Sequence, residues 1–407
     1  MIENMKTIAV IAELNPCHAG HAYFLREARR LSGADHVVMI MSGDFVQRGE
    51  PAVFHKYIRT EMALSVGADL VLELPAAAAC GSAQRFAEGA VSVLDRLCVI
   101  DELWFGSESG EIVPFLETAG SLYRESSAYR SGLKEALAEG LTFPAAREHA
   151  LASSGQIPEK QDTGILSLPN NILGLEYCLA LQKRESRIKP QTLPREGSPY
   201  LRETIPDDGF ASAAAIRRCI LENRPLFSYA LSLPEQILPI YKRALEDSAP
   251  VTSDDFSSML LYQLYKETPA SLAEYLDVPA DLANRIINLR GEFRSLSGFA
   301  ELLKTKNRTL TQVQRALLHI LLGITAADLE NALHPSYVRV LGFSEAGSSL
   351  LSSIQEKGQI APVSKASALS SFPSERDVFA SRLYESVRSV KAGTPATDEF
   401  RRPVITV

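Results

Sequence analysis

The segment "TIAVIAELNPCHAGHAYFLREARRL" (residues 7–31) contains the pattern that decides the fold. Its first part, Thr7 to Leu14, is an apolar and β-branched-rich run of the kind that forms a strand buried on both faces. An Asn-Pro turn follows, and Ala22 to Leu31 then has apolar residues at helical spacing. The segment therefore predicts a strand, a tight turn and an amphipathic helix.

The alternation of strand and helix continues along the first half of the chain. The stretches "HVVMIMSG", "DLVLELP", "IDELWFGSESG" and "IKPQTLPRE" predict further strands, with helical patterns between them. Alternation with short connections predicts an α/β fold with a doubly wound, Rossmann-like parallel sheet, whose ligands bind at the carboxyl ends of the strands. Beyond about Pro225 helical patterns dominate, with a small mixed element near "YVRVLGFSEAG". We predict an α/β domain at residues 1–220 and a mainly α-helical domain at residues 221–407.

Composition limits the classes of function. The chain has 407 residues and a formal net charge of -7, which excludes binding to nucleic acid through overall positive charge. Five scattered cysteines with no C-x-x-C spacing indicate a reducing compartment. We see no signal peptide and no membrane span. A cytoplasmic protein is predicted, with no membrane or DNA partner.

The residues after the first strand predict a phosphate site. A helix N-terminus presents unpaired N–H groups and partial positive charge, and Gly20 lets a ligand approach the backbone. His18 and His21, three residues apart, can donate hydrogen bonds or positive charge to phosphate oxygens and stabilise a pyrophosphate leaving group. Two ordinary surface or core histidines are the alternative; a zinc site lacks an obvious third ligand. The surrounding strand and helix favour the phosphate site.

Strand, "NPCHAGH" and helix together resemble the HIGH-motif nucleotidyltransferases. That resemblance implies that His18 and His21 contact ATP phosphates while a nucleophile attacks the α-phosphorus and pyrophosphate leaves. The superfamily's second signature, I-S-S-T-x-I-R, is similar to "FASAAAIRR", in which Ser212 and Arg217 match. Ala213 and Ala214 depart from the usual hydroxyl residues.

Three further stretches closely resemble the bacterial tRNA(Met) cytidine acetate ligase family. They are "MSGDFVQRGEPAVFHKYIRTEMAL" (residues 41–64), "WFGSE" (104–108) and "PNNILGLEY" (169–177). In the second half, "RTLTQVQRALLHILLGI" and "YVRVLGFSEAG" are similar as well. The resemblance implies an ATP-dependent ligase. It activates acetate as acetyl-adenylate and transfers the acetyl group to the exocyclic amine of the wobble cytidine of elongator tRNA(Met). Magnesium is expected with the ATP phosphates.

The resemblance also implies the site residues. Besides the catalytic His18 and His21, the implied ATP contacts are Ile11, Glu13, Asn15, Pro16, Gly20, Phe24, Gly106, one of Asn170 and Asn171, Arg195, Ser212 and Arg217. The loop after the second strand is expected to form the wall of the acyl and cytidine pocket, through Ser42, Gly43, Asp44, Gln47, Arg48 and Lys56. We predict no metal site built by protein side chains. His55 stands where the family leads us to expect an acidic residue.

Local basic clusters offer an acidic protein a way to hold tRNA. One contains Lys183, Arg184, Arg187 and Lys189, and the other contains Arg285, Arg290, Arg294, Lys304, Lys306, Arg308 and Arg315. Two other functions stay open at this point. One is an adenylyltransferase acting on a small phosphorylated metabolite, and the other is a non-catalytic nucleotide-binding or RNA-binding protein.

Overall fold

The computed structural model describes residues 5–141, 143–154, 164–195, 211–247 and 250–407. The Ser/Gly/Pro-rich stretch near residues 153–164, which the sequence predicts to be a mobile surface loop, lies mostly outside these ranges, as does Phe210 at the start of the second signature.

The described residues alternate strand and helix through the first half and are mainly helical in the second. The strands are β1 (Thr7–Ala12), β2 (His36–Ser42), β3 (Phe45–Val46), β4 (Glu50–Pro51), β5 (Leu70–Leu74), β6 (Glu102–Ser107), β7 (Lys189–Pro194), β8 (Tyr337–Phe343), β9 (Ala361–Val363) and β10 (Ile405–Thr406). The first nine α-helices are α1 (Ala19–Ser32), α2 (Lys56–Ser65), α3 (Ala76–Ala79), α4 (Ala83–Leu97), α5 (Val113–Arg124), α6 (Ser127–Ala138), α7 (Phe143–Ser153), α8 (Pro169–Lys183) and α9 (Ala213–Leu221). The others are α10 (Leu238–Asp247), α11 (Ser257–Lys266), α12 (Pro269–Leu272), α13 (Ala280–Leu289), α14 (Leu296–Leu303), α15 (Leu310–Leu322), α16 (Ala326–Leu333), α17 (Glu345–Lys357) and α18 (Glu375–Ala392).

The main sheet has the strand order β10-β8-β5-β2-β1-β6-β7, and its five strands from the first half are all parallel. Strand β1 lies between β2 and β6, and β2 is buried along its whole length. Because the strands run parallel, the residues that follow β1, β2, β6 and β7 meet at one edge. The predicted α/β fold with a parallel sheet is confirmed.

The second half of the chain also supplies strands to this sheet. Strand β8 pairs antiparallel with β5, while β9 and β10 pair parallel with β8. The sequence predicted only a small mixed element here, because a single apolar run among helices does not reveal a partner strand more than 250 residues away.

The two halves share a core. Tyr241 of α10 donates a hydrogen bond to the carbonyl of Cys17 (2.6 Å), directly before His18. Helix α15 packs against the β3–β4 hairpin, where a Cβ on Gly49 would lie 2.5 Å from the backbone nitrogen of Arg315. The main sheet thus contains strands from both sides of the predicted domain boundary at residue 220. Among the described residues, no helix has the length and apolar character needed to cross a membrane.

Candidate active site

The histidine motif forms the N-terminus of α1. His18 is the N-cap, so the helix begins at Ala19, three residues before its predicted start. The Nδ1 atom of His18 accepts a hydrogen bond from the Gly20 N–H (3.0 Å), and Nδ1 of His21 accepts one from the His18 N–H (3.2 Å). Two imidazoles thereby form a capping box, the arrangement that a hydroxyl residue and a glutamate usually provide.

Both histidines are neutral. Burial lowers the pKa of His18 well below its usual value, and burial together with the nearby Arg195 lowers the pKa of His21 to about 3. Because each Nδ1 lone pair accepts a backbone hydrogen bond, the single ring proton resides on Nε2. Each ring therefore has one N–H available to donate to an anionic ligand.

A cavity of about 250 Å³ lies at the carboxyl ends of β1, β6 and β7. Its lining contains most of the residues predicted for ATP: Ile11, Glu13, Asn15, His18, Gly20, His21, Phe24, Gly106, Asn170, Arg195, Ser212 and Arg217. Gln47, predicted for the substrate, lines it too. Pro16 and Asn171 are not part of its lining.

Apolar and aromatic residues complete the cavity, and these were not predicted. They include Phe86, Trp104, Phe105, Leu173 and Tyr177. Trp104 and Phe105 lie in "WFGSE", where the resemblance pointed only to the glycine.

Two arginines bring positive charge to the cavity from different elements. Arg195 follows β7, and its N–H donates to the carbonyl of Ser107 (2.9 Å). Its side chain passes over Gly106, because a Cβ on that glycine would lie 3.1 Å from Arg195 Cγ. Arg217 comes from α9 and donates through Nη1 to the carbonyl of Asn15 (2.5 Å). Both guanidinium groups suit phosphate oxygens.

The second signature begins α9. Ser212 is the N-cap of this helix, and its Oγ accepts a hydrogen bond from the Ala215 N–H (3.1 Å). The neighbouring Ala213 also lines the cavity. This turn therefore presents a helix N-terminus beside the N-terminus of α1, although two of its residues lack the family's hydroxyl groups.

The structure separates the roles of Asn170 and Asn171. Asn171 is buried, its Oδ1 accepts from the Glu108 N–H (3.1 Å), and its Nδ2 donates to the carbonyl of Gly164 (3.2 Å). Asn170 lines the cavity, and its Nδ2 donates to the Glu108 carboxylate (3.2 Å). Asn170 is thus the member of the pair that lines the cavity.

The loop after β2 is only partly available to a ligand. The Lys56 ammonium is buried in ion pairs with Glu73 (2.8 Å) and Glu399 (3.1 Å), and Asp44 Oδ1 accepts from the Lys56 N–H (2.7 Å). Gly43 is buried as well, and a Cβ there would lie 2.5 Å from a Glu73 oxygen. We therefore revise the interpretation of Lys56 and Asp44 as substrate ligands, because other protein groups already occupy them.

The remaining members of that set differ in exposure. Ser42 is fully buried at the end of β2, and its Oγ has no hydrogen-bond partner among the described residues. Arg48 is half-buried on the β3–β4 hairpin, next to Gln47. The hairpin, more than the buried start of the loop, borders the cavity.

Sequence reasoning missed the role of Arg59. Its buried guanidinium donates to the carbonyls of Glu13 (2.7 Å), Phe54 (2.9 Å) and Ser42 (3.0 Å), and also to that of Gly43. One side chain thereby joins the residues that follow β1 to those that follow β2. The available signal in the sequence was the helical spacing of "KYIRTEMAL", which places Arg59 on the same helix face as the apolar Met62 and Ala63.

His55 has a structural role at the start of α2. It is the N-cap, and its Nδ1 accepts from the Tyr57 N–H (3.4 Å). An acidic residue can cap a helix in the same way, which accounts physically for the departure from the family pattern noted above.

The two basic clusters lie in different places. Arg184, Arg187 and Lys189 border a second cavity at the amino ends of the strands, away from the histidines. In the other cluster, Arg285 donates to the carbonyl of Leu302 (2.8 Å), whereas Lys304 and Lys306 are exposed just before α15. Of this cluster only Arg315 lies on α15, the helix that contacts the β3–β4 hairpin, and Gln47 of that hairpin lines the cavity.

Comparisons with known proteins identify the family of this chain. A sequence model of the family described as HIGH Nucleotidyl Transferase matches residues 5–398, so the chain belongs to that class. It is 39% identical to the tRNA(Met) cytidine acetate ligase of Acetivibrio thermocellus, over 98% of this chain and 100% of the relative. The corresponding protein of Caldanaerobacter subterraneus subsp. tengcongensis is also 39% identical, over 93% and 95%. The chain belongs to the tRNA(Met) cytidine acetate ligase family, as its sequence motifs predicted.

Solved structures are similar over the whole chain. The crystal structure of Thermotoga maritima TmcAL in its apo form has a TM-score of 0.92 and 32% identity, covering 99% of this chain and 100% of that one. The structure of the same protein bound with alpha-thio ATP has a TM-score of 0.89 with the same identity and coverage.

Proposed function

We propose that this chain is an ATP-dependent ligase that activates acetate as acetyl-adenylate. It then transfers the acetyl group to the exocyclic amine of the wobble cytidine of elongator tRNA(Met). The observation that carries the proposal is the neutral His18–His21 capping box, which faces a cavity shared with Arg195 and Arg217. The activity for which the relatives are named and the alpha-thio ATP bound to a similar structure support it.

The residues act mainly through position and charge. Acetate is already an anion at neutral pH, so adenylation requires orientation and charge neutralisation rather than proton removal. The Nε2–H groups of His18 and His21 and the N-terminus of α1 donate to the phosphates. Arg195 and Arg217 offset the charge of the departing pyrophosphate.

The apolar wall at Trp104 and Phe105 holds the adenosine part of ATP. Magnesium is proposed to bind together with the ATP phosphates. The exposed basic residues before α15 contact tRNA phosphates. The enzyme acts in the cytoplasm, which contains both ATP and tRNA.

The test uses the full chain, ATP, labelled acetate and elongator tRNA(Met). Nuclease digestion should release acetylated cytidine, and a tRNA with uridine at the wobble position should stay unlabelled. Adenylation of a small phosphate ester with no label in tRNA would replace this proposal with the adenylyltransferase alternative, and label that requires no ATP would overturn the ATP-dependent ligase. Binding of nucleotide or RNA without any turnover would support a non-catalytic protein.

A further inference from the structure

Among the described residues, Glu13 is the one carboxylate that lines the cavity. It follows β1 directly and lies five residues before His18. We infer that the Glu13 carboxylate is the general base of acetyl transfer and accepts the proton that the exocyclic amine of the cytidine loses. The inference rests on the proposed function, since it assigns a residue to the second of its two steps.

The structure holds this carboxylate in a fixed position. Oε1 of Glu13 accepts a hydrogen bond from the Gln47 N–H (2.7 Å), and the Glu13 carbonyl accepts one from Arg59 (2.7 Å). The first bond orients the carboxylate and occupies one oxygen. The second oxygen, Oε2, has no protein donor among the described residues and so is available to a ligand in the cavity.

The histidines cannot take this role. Each Nδ1 lone pair already accepts a backbone N–H, and each Nε2 carries the ring proton. Burial also lowers the pKa of both rings, which makes them poor bases. Tyr23 and Tyr177 also line the cavity, but a phenol is in general too weak an acid to serve as a base near neutral pH. Elimination among the titratable groups of the lining leaves Glu13.

The surroundings of Glu13 adjust its basicity. Burial raises the pKa of Glu13, and the carboxylate of Glu50 raises it further. The Gln47 N–H and the guanidinium groups of Arg217 and Arg48 oppose that shift, and the charge of Arg59 is also close. A raised pKa makes a carboxylate a stronger base near neutral pH.

The chemistry of the acceptor matches a carboxylate. The exocyclic amine of cytosine is a hydrogen-bond donor, and glutamate is a natural acceptor for it. In the transfer step the amine lone pair forms the N–C bond to the acetyl carbonyl carbon, and one amine proton passes to Glu13. The tetrahedral intermediate then collapses, the C–O bond to AMP breaks, and AMP leaves with that electron pair. Glu13 finally releases its proton to water.

The test separates the two half-reactions in the Glu13→Gln variant. Glutamine keeps the oxygen that accepts the Gln47 N–H but cannot take a proton. Transfer from preformed acetyl-adenylate to tRNA(Met) should fall ~10²–10⁴-fold. Acetate-dependent exchange of pyrophosphate into ATP should fall by a much smaller factor. The decrease of transfer at acidic pH, which protonation of Glu13 causes, should also disappear in the variant.

Two further variants complete the design. Glu117→Gln makes the same exchange on the exposed face of α5 and should not change either half-reaction. Glu13→Ala removes both the base and the bond to Gln47, and should impair both half-reactions. An equal loss of exchange and transfer in Glu13→Gln, or transfer at the normal rate, would overturn the assignment of the base. Absence of acetate-dependent exchange in the unmodified enzyme would instead overturn the proposed function, and this inference with it.

Discussion

His21 accepts, through Nδ1, a hydrogen bond from the backbone N–H of His18, while His18 caps the same helix through Gly20. The two side chains thus fix the backbone that presents them and keep their own Nε2 protons free for a ligand. The two histidines that the sequence predicts as phosphate ligands also form the N-terminal cap of α1. Their substitution therefore affects structure and activity together.

Replacing His21 with alanine should strongly impair adenylation while the fold persists. We expect acetate-dependent pyrophosphate exchange to fall by ~10²–10³-fold, because a donor to developing negative charge is lost. Loss of the cap should cost about 1 kcal/mol in the free energy of unfolding. His149→Ala, an exchange at an exposed position of α7, is the control. Near-normal exchange in His21→Ala would contradict the phosphate-binding role.

Replacing Arg59 with methionine should strongly destabilise the fold. Four backbone carbonyls would lose their donor in a buried site, which we expect to lower the free energy of unfolding by more than about 3 kcal/mol. Chemical denaturation measures this directly. Arg130→Met on the exposed surface of α6 should stay within about 0.5 kcal/mol of the unmodified protein. A similarly small effect at Arg59 would show that water replaces its hydrogen bonds.

Adding a methyl group at Gly106 should weaken ATP binding. The new Cβ would lie 3.1 Å from Arg195 Cγ and push that side chain from its position over the glycine. We expect the KM for ATP to rise roughly fivefold, equivalent to about 1 kcal/mol. Gly291→Ala has open space around its Cβ and serves as the matched control. An unchanged KM would mean that Arg195 does not contact ATP.

The adjacent asparagines should respond differently to alanine. Asn171→Ala removes two hydrogen bonds from a buried site and should lower the free energy of unfolding by about 1–3 kcal/mol. Asn170→Ala should leave stability nearly unchanged and raise the KM for ATP, since this side chain lines the cavity. Thermal unfolding and ATP kinetics on both variants would distinguish the roles, and the reverse pattern would reassign the ligand to Asn171.

Stability should decrease in mild acid, in part because of His55. Burial lowers the pKa of His55 to about 4 from an ordinary value of 6.5. Between those values the unfolded chain binds a proton at His55 that the folded protein does not, so the free energy of unfolding falls as the pH falls. This contribution is at most about 1.4 kcal/mol per pH unit. His55→Asn keeps a capping oxygen and should make stability less dependent on pH between 7 and 5. Equal pH dependence in both proteins would exclude His55 as a cause.

The predictable part of the structure lies in short stretches of chain. The strands from Thr7, His36, Leu70 and Glu102 and the helix that follows the histidines appear close to their predicted places, because periodicity of 2 and 3.6 residues is a local property. The place of the histidine motif at the sheet edge was also predictable, because the motif directly follows a strand whose carboxyl end lies at that edge. Family-specific stretches then predicted a ligase rather than any adenylyltransferase.

The sequence by itself determined the alternating α/β pattern, the place of His18 and His21 and the family. Tertiary structure alone decided which charged residues are available for chemistry. Lys56 resembles a free cation in the sequence but is neutralised by Glu399, and its neighbour Tyr57 donates to that same carboxylate across 342 residues. Glu13 faces the cavity, while Asn171 is directed into the protein. Such outcomes depend on contacts between distant segments, because the partner of each buried polar group is fixed only when the chain has folded.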